Sequence, residues 1–158
     1  MSGIGDDSRP EIIRARPRHA KDLACLHARL FDDPWDGEAF AELLRQPGAK
    51  AFIARVGHPP EAAGLILGRV AADEAEILSL AVRTESQRRG LAARLLRALR
   101  RAVRRARART LFLEVGASNG AALAFYARCG FRACGRRAAY YQHPGRPVED
   151  ALVLYLTL

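Results

Sequence analysis

The chain is expected to fold as an α/β (α+β) protein: a mixed, mostly antiparallel central sheet of six to seven strands flanked by about four helices. Three observations point there. Apolar segments at 51–56, 62–70 and 74–82 follow one another with short connections, which reads as an antiparallel meander. A strand, a long amphipathic helix and another strand then span 74–115, a right-handed crossover that makes those two strands parallel. Finally, Phe131 to Tyr141 and Glu149 to Leu156 read as the arms of a long closing hairpin.

Taken in order, residues 1–10 read as a disordered leader and 11–158 as one domain. Glu11 to Ala15 alternates weakly, as a short strand does. Arg18 to Phe31 carries Leu23, Leu26, His27 and Leu30 at helical spacing. Asp32-Asp33-Pro34-Trp35 breaks that helix. Asp36 can cap a second one running to about Gln46, with Phe40, Leu43 and Leu44 on its apolar side. Gly57-His58-Pro59-Pro60 separates the first two strands of the meander. In Gly90 to Arg107, Leu91, Leu95, Leu99, Ala102, Val103 and Ala106 make one stripe. Arg94, Arg97, Arg100, Arg101, Arg104, Arg105 and Arg107 fall on the other side. Thr110 to Val115 is a strand, and Asn119 to Cys129 a short helix ended by Gly130.

Composition narrows the function classes. With 158 residues and 49% hydrophobic content the chain can bury one sizeable core. No apolar run approaches the roughly 18 residues of a membrane helix, so no membrane partner is expected. The start, Met-Ser-Gly-Ile-Gly-Asp-Asp, lacks the pattern of a signal peptide, and cytoplasmic residence is the expectation. Cys25, Cys129 and Cys134 form no close-spaced pair and read as free thiols. The histidines show no HExxH pairing, so no metal is expected; no Walker loop and no Gly-x-Ser-x-Gly elbow appears. Net charge is +9, which favours anionic partners such as nucleic acid, phosphorylated cofactors or ribosomes.

Within this frame Gln87-Arg88-Arg89-Gly90-Leu91-Ala92 stands out. It follows the apolar run Ile77 to Val82 and opens the long helix. The first N–H groups of a helix have no partner inside it, and the macrodipole adds roughly half a positive charge there. A diphosphate fits such a place. Gly90 lacks a Cβ, so a ligand could approach the backbone closely. The plain alternative is an ordinary strand-to-helix turn. Glu114 is the lone charge in Leu111-Phe112-Leu113-Glu114-Val115. It reads either as a solvated carboxylate or as a general base in a cleft at the strand's end. Asn119 is an N-cap in its position. Tyr126, two turns inside its helix, is either half-buried packing or a proton donor aimed into the same cleft.

The series Leu80-Ala81-Val82, Gln87-Arg88-Arg89-Gly90-Leu91-Ala92, Leu113-Glu114-Val115, Ala117-Ser118-Asn119 and Phe125-Tyr126-Ala127-Arg128-Cys129-Gly130-Phe131 resembles the GNAT N-acetyltransferases. Pro34-Trp35, Tyr140-Tyr141 and Glu149-Asp150-Ala151 are similar to the ribosomal-protein-alanine N-acetyltransferase (RimI-type) branch. The resemblance implies the GNAT fold and acetyl-CoA as cosubstrate. Leu80, Ala81 and Val82 would hold the pantetheine arm through their backbone. N–H groups of Arg88, Arg89, Gly90, Leu91, Ala92 and Ala93 would cradle the pyrophosphate, and Asn119 would contact the CoA arm. It further implies Glu114 as base, Tyr126 as acid, and Trp35, Tyr140 and Tyr141 along the peptide groove. The acceptor would be the N-terminal α-amine of a protein such as a ribosomal protein, with ribosomal association through the basic helix. Two departures touch the acceptor side: Gly116 stands where that branch usually has arginine, and Pro147-Val148 intervene before Glu149.

Two rival functions remain open from the sequence. One is a GNAT acetylating a small amine such as a polyamine or an antibiotic, which Asp32, Asp33, Asp36 and Glu38 near the acceptor side would suit. The other is a non-enzymatic nucleic-acid-binding module built on the arginine-rich helix.

Overall fold

The computed structural model describes residues 9–158; the first part of the expected leader, residues 1–8, lies outside them. One seven-stranded sheet runs in the order β1-β2-β3-β4-β5-β7-β6. Its strands are β1 (Glu11–Arg14), β2 (Ala49–Val56), β3 (Glu61–Ala71), β4 (Glu74–Val82), β5 (Thr110–Gly116), β6 (Arg132–Tyr141) and β7 (Glu149–Thr157). The helices are α1 (Ala20–Leu30), α2 (Gly37–Arg45), α3 (Leu91–Arg105) and α4 (Gly120–Arg128). All pairings are antiparallel except β4 with β5, the pair that the α3 crossover joins. The expected mixed sheet and its helices are therefore present, with boundaries shifted by a residue or two. At α1 the expected first turn is a separate 3-10 turn, Pro17–His19.

Strand alternation divides the core in two. On one face Leu91, Leu95, Leu99 and Val103 of α3 pack with Ile66, Ile77, Leu111, Leu113 and Val115, and Tyr126 of α4 joins them. On the other, Leu23 and Leu26 of α1 and Phe40 of α2 cover Ala51, Ile53, Leu65 and Leu67. Asp36 caps α2 by accepting the Ala39 N–H at 2.8 Å. At the chain's start, Arg94 donates to the Pro10 carbonyl at 2.8 Å.

The feature that shapes the site is a bulge in β4. Ser79 opposes Leu67 and Ile77 opposes Gly68, so Leu78 has no partner on β3. Leu78 packs with the α1/α2 core, and its neighbour Ser79 faces the same side, its hydroxyl 3.4 Å from Nε2 of His27 on α1. Two successive side chains on one face bend a strand. Accordingly β4 pairs with β5 only through Glu74, Ala75 and Glu76, opposite Thr110, Leu111 and Phe112. Beyond Glu76 the two strands part.

Candidate active site

Leu80, Ala81 and Val82 form one lip of this opening, on the stretch of β4 that β5 does not pair. The chain then turns through Thr84–Ser86, and the Gln87 side-chain amide donates back to the Val82 carbonyl at 3.1 Å. Arg88 and Gly90 take left-handed backbone conformations, φ 63° and 76°. That geometry is cheap for Gly90 and strained for Arg88. Helix α3 starts directly afterwards, its first bond running from Arg94 N–H to the Gly90 carbonyl at 3.1 Å. Gly90 supplies no side-chain cap, and no acid stands in the first turn. Among the described residues nothing in the chain accepts from the N–H groups of Arg88 through Ala93. The result is a row of unclaimed donors at the positive end of a four-turn helix, with the exposed Arg88 and Arg89 beside it. A Cβ on Gly90 would meet no atom within 4 Å, so the space in front is open.

Glu114 stands on the other lip. Leu113 and Val115 point into the α3/α4 core, so Glu114 between them points to the opposite face. Its side chain is 16% exposed and pairs with Arg137, Nε to Oε1 2.9 Å. The Tyr140 phenol also hydrogen-bonds to Glu114, which pushes the phenol's pKa up. The Arg137 guanidinium lies over the Tyr140 ring, 5.5 Å from its centre, and Tyr141 packs edge-on to Tyr140. Arg137 reaches Glu114 from the last paired position before a bulge in β6, and Tyr140 lies within that bulge. Arg137 pairs with Ala151 and Tyr141 with Glu149, so three residues of β6 oppose Asp150 alone. Asp150 pins the bulge: it accepts the Ala139 N–H at 2.9 Å and Arg136 at 2.7 Å. Those bonds hold its carboxyl below the usual range. Ala139 sits at φ 54°, the left-handed strain that such a bulge demands.

Tyr126 lies in the α3/α4 core, packed edge-on between Phe125 and Phe131 at 5.2 and 5.3 Å. Burial first, then Cys129 and Tyr141, push its pKa up to about 12. Tyr141 is electrostatically coupled to Tyr126 on one side and to Glu114 on the other. Because Tyr126 shares the core with Leu113 and Val115 while Glu114 points away from it, the two candidate catalytic groups lie on opposite faces of the sheet. Asn119 is the N-cap of α4, its Oδ1 accepting the Ala122 N–H at 3.2 Å. Trp35 stacks on His27 at 4.9 Å and meets Phe40 edge-on. Its own N–H donates to Nδ1 of His27 at 3.0 Å. The structure thus gives Trp35 and the Tyr140-Tyr141 pair separate partners.

A cavity of about 300 Å³ opens beside Glu114 on the face away from α3. Glu74, Glu76, Glu114, Arg69 and Arg137 line it above Phe112. Gly116, one of the departures from the branch pattern, meets Glu149 nearby. The Glu149 carboxylate accepts from both the N–H and the hydroxyl of Ser118, which holds its pKa down. A Cβ on residue 116 would sit 2.6 Å from that carboxylate, so Gly116 makes its room. The β6–β7 hairpin is tied to the α1–α2 loop by Arg146 and Asp32 at 2.6 Å. Sequence reasoning missed Arg137, the bulge-pinning role of Asp150 and the contacts of His27 with Trp35, Phe40 and Ser79, whose partners come from other elements; only the His27–Phe31 stack, four residues apart, is local.

No helix among the described residues is long and apolar enough to cross a membrane. No group of three or more His, Cys, Asp or Glu among them could hold a metal ion.

Residues 20–131 match the acetyltransferase (GNAT) family. The chain is 38% identical over 148 residues to the N-alpha-acetyltransferase RimI of Mycobacterium tuberculosis, covering 88% of this chain and 89% of that protein. It is 33% identical over 134 residues to the [ribosomal protein bS18]-alanine N-acetyltransferase of Escherichia coli K12, covering 84% and 87%. The crystal structure of the Escherichia coli ribosomal-protein-S18-alanine N-acetyltransferase superposes with a TM-score of 0.85 at 28% identity, covering 94% of each chain.

Proposed function

Because the chain belongs to the acetyltransferase (GNAT) family, we propose that it moves the acetyl group of acetyl-CoA onto the N-terminal α-amine of a protein. The names of its relatives make the alanine N terminus of ribosomal protein bS18 the first acceptor to consider. The observation that carries the cosubstrate is the row of unclaimed N–H groups from Arg88 to Ala93. Six donors at a helix start suit a pyrophosphate, and Arg88 or Arg89 adds charge-assisted contacts. Leu80, Ala81 and Val82 offer the unpaired edge of β4 to the pantetheine arm, which lies there as a strand would. The Asn119 side-chain NH₂ is left over from capping and serves the same arm.

The chemistry follows from the two faces. An α-ammonium has a pKa near 7.7–8.0 and must lose a proton before it attacks. Glu114, in the carboxylate-rich cavity, takes that proton directly or through a water. The amine nitrogen bonds to the thioester carbonyl carbon, the C–S bond breaks, and the thiolate leaves toward the opposite face; the nitrogen's second proton is lost to solvent as the amide forms, and solvent restores the proton that Tyr126 gives to the sulfur. Tyr126 stands on that face and stays protonated because of its burial, so its phenol donates to the departing sulfur. Arg137 and Tyr140 orient the base, and the incoming ammonium competes with Arg137 for it. Trp35, Tyr140 and Tyr141 are the aromatic candidates for the peptide groove. The 11–158 region acts as one catalytic domain.

Incubation with acetyl-CoA and a panel of N-terminal peptides and polyamines, read by mass spectrometry, tests this reading. Acetylation of an alanine-initiated ribosomal peptide is the expected outcome. Turnover with polyamines alone would overturn the acceptor.

A further inference from the structure

The arginine face of α3 is not needed for acetyl transfer, and its charge has no internal counterpart. Helix α3 carries Arg94, Arg97, Arg100, Arg101, Arg104 and Arg105 and no acid. Many of these stand three or four residues apart, a spacing at which like charges oppose helix formation. Every ion pair among the described residues uses arginines elsewhere, at positions 29, 55, 69, 83, 136, 137 and 146. An uncompensated row of this kind calls for an anion from outside.

The fold gives that row a shape the sequence does not reveal. A groove of about 440 Å³ runs between the C-terminal half of α3 and the edge of the sheet. Arg101 and Arg105 form one bank, and Arg14 of β1 and Lys50 of β2 form the other. Arg14 is directly opposite Phe52 in the β1–β2 register, so the half-buried Phe52 ring lies on the floor between the banks. Ala98, Ala102 and Ala106 keep the α3 side shallow. The lining holds cations and apolar atoms only, with no carboxylate to repel a phosphate and no amide side chain to read a base edge. Arg105 is fifteen residues beyond Gly90, roughly 22 Å along the helix. An occupant here leaves the transfer cleft free.

We infer that this groove binds the sugar-phosphate backbone of RNA without sequence preference. The choice of RNA rests on the ribosomal acceptor proposed above: RNA is the polyanion with which a ribosomal protein assembles, and a backbone clamp on α3 would hold the enzyme beside it. Four cations on two banks follow a single strand of phosphates, and Phe52 offers a face to one base.

The test is fluorescence anisotropy of the intact chain with a labelled 20-nucleotide RNA of mixed sequence. Expected is micromolar binding at low salt whose log–log slope against salt is about −3, the value for four neutralised phosphates on a single strand. Saturating acetyl-CoA should leave it unchanged. The double variant Arg101→Glu/Arg105→Glu should bind at least tenfold more weakly. It should still acetylate the free peptide at the wild-type rate, which also shows that it folds. Lys50→Glu, on the opposite bank, supplies an independent loss. No RNA binding by the wild type at low salt, equal binding by the charge-reversed chain, or tighter binding to vesicles of anionic lipid than to RNA would each overturn the inference. Failure to acetylate any ribosomal peptide would remove the acceptor reading while leaving the RNA measurement intact.

Discussion

Arg137 Nε lies 2.9 Å from Glu114 Oε1, so an edge strand holds by its guanidinium the carboxylate that β5 turns toward the cleft. The arginine is 59% exposed and the glutamate 16%, which makes the pair a partly solvated tether rather than a buried lock. A tether of this kind sets direction more than stability. Arg137→Gln should therefore leave the melting temperature nearly unchanged and lower kcat about tenfold, the effect of roughly 1.4 kcal/mol of lost orientation. Arg137→Lys should recover part of it. Steady-state kinetics with a fixed peptide reads the result, and an unchanged kcat in Arg137→Gln would rule out the orienting role.

The pH profile separates the proposed base and acid. Activity should rise with pH as the acceptor amine deprotonates, levelling above about pH 8. The pKa of Tyr126 is raised to about 12, chiefly by burial, so its proton is retained and no alkaline fall should appear below about pH 11. Glu114→Gln and Tyr126→Phe should each lose about 10²–10⁴-fold in kcat, with the KM for acetyl-CoA little changed. A falling limb near pH 9 that persists in Tyr126→Phe would assign the acid to another group, and one that vanishes there would contradict the raised pKa of Tyr126.

Gly90→Ala should act on cosubstrate binding and stability together. At φ 76° an alanine is strained by about 1 kcal/mol, and its Cβ would project into the open space before the α3 amides. Calorimetry should show acetyl-CoA binding weakened tenfold or more. Unaltered affinity would mean that the pyrophosphate lies elsewhere.

His27 should make stability fall in mildly acidic solution. Burial lowers its pKa from the usual 6.5, while the unfolded chain keeps the ordinary value. As pH drops through 6.5 the unfolded state takes up a proton first, so stability is intact above that pH and declines below it. Protonation of Nδ1 would also break the bond from the Trp35 N–H. Urea midpoints at pH 7.5, 6.5 and 5.5 should fall in that order, and His27→Gln should flatten the trend across this window. A midpoint independent of pH in the wild type would refute the burial effect.

Much of the fold was legible because its signals are local. The 3.6-residue stripe of Leu91, Leu95, Leu99 and Val103, the Asp36 cap and the alternation of Leu111, Leu113 and Val115 each sit within one element. The row of donors after Gln87 was legible for the same reason, since Gly90 and the helix start are adjacent in sequence. What surrounds Glu114 was not. Arg137 reaches it from the last paired position before a β6 bulge and Tyr140 lies within that bulge, whose extra residues appear only once β6 is registered against β7. Ala133-Cys134-Gly135 and Ala138-Ala139 carry no pattern that announces it. Trp35 shows a related limit: its nearest aromatic partners, His27 and Phe40, are eight and five residues away, and only the packing of α1 against α2 brings them together. The β4 bulge at Leu78 is equally silent, as Ile77-Leu78-Ser79-Leu80 reads as an unbroken strand.

That bulge also makes the sheet incomplete by design. From Ile77 onward β4 has a strand neighbour on one side only, and β5 continues past it toward Gly116. Under the proposed reading, a cosubstrate arm laid in the gap would act as a strand-like rung beside Leu80–Val82, extending a β4–β5 seam that the protein itself closes only at residues 74–76. In deuterium exchange the amides along this seam should then slow markedly on loading, and release of spent CoA from that place would be a local unzipping of the seam.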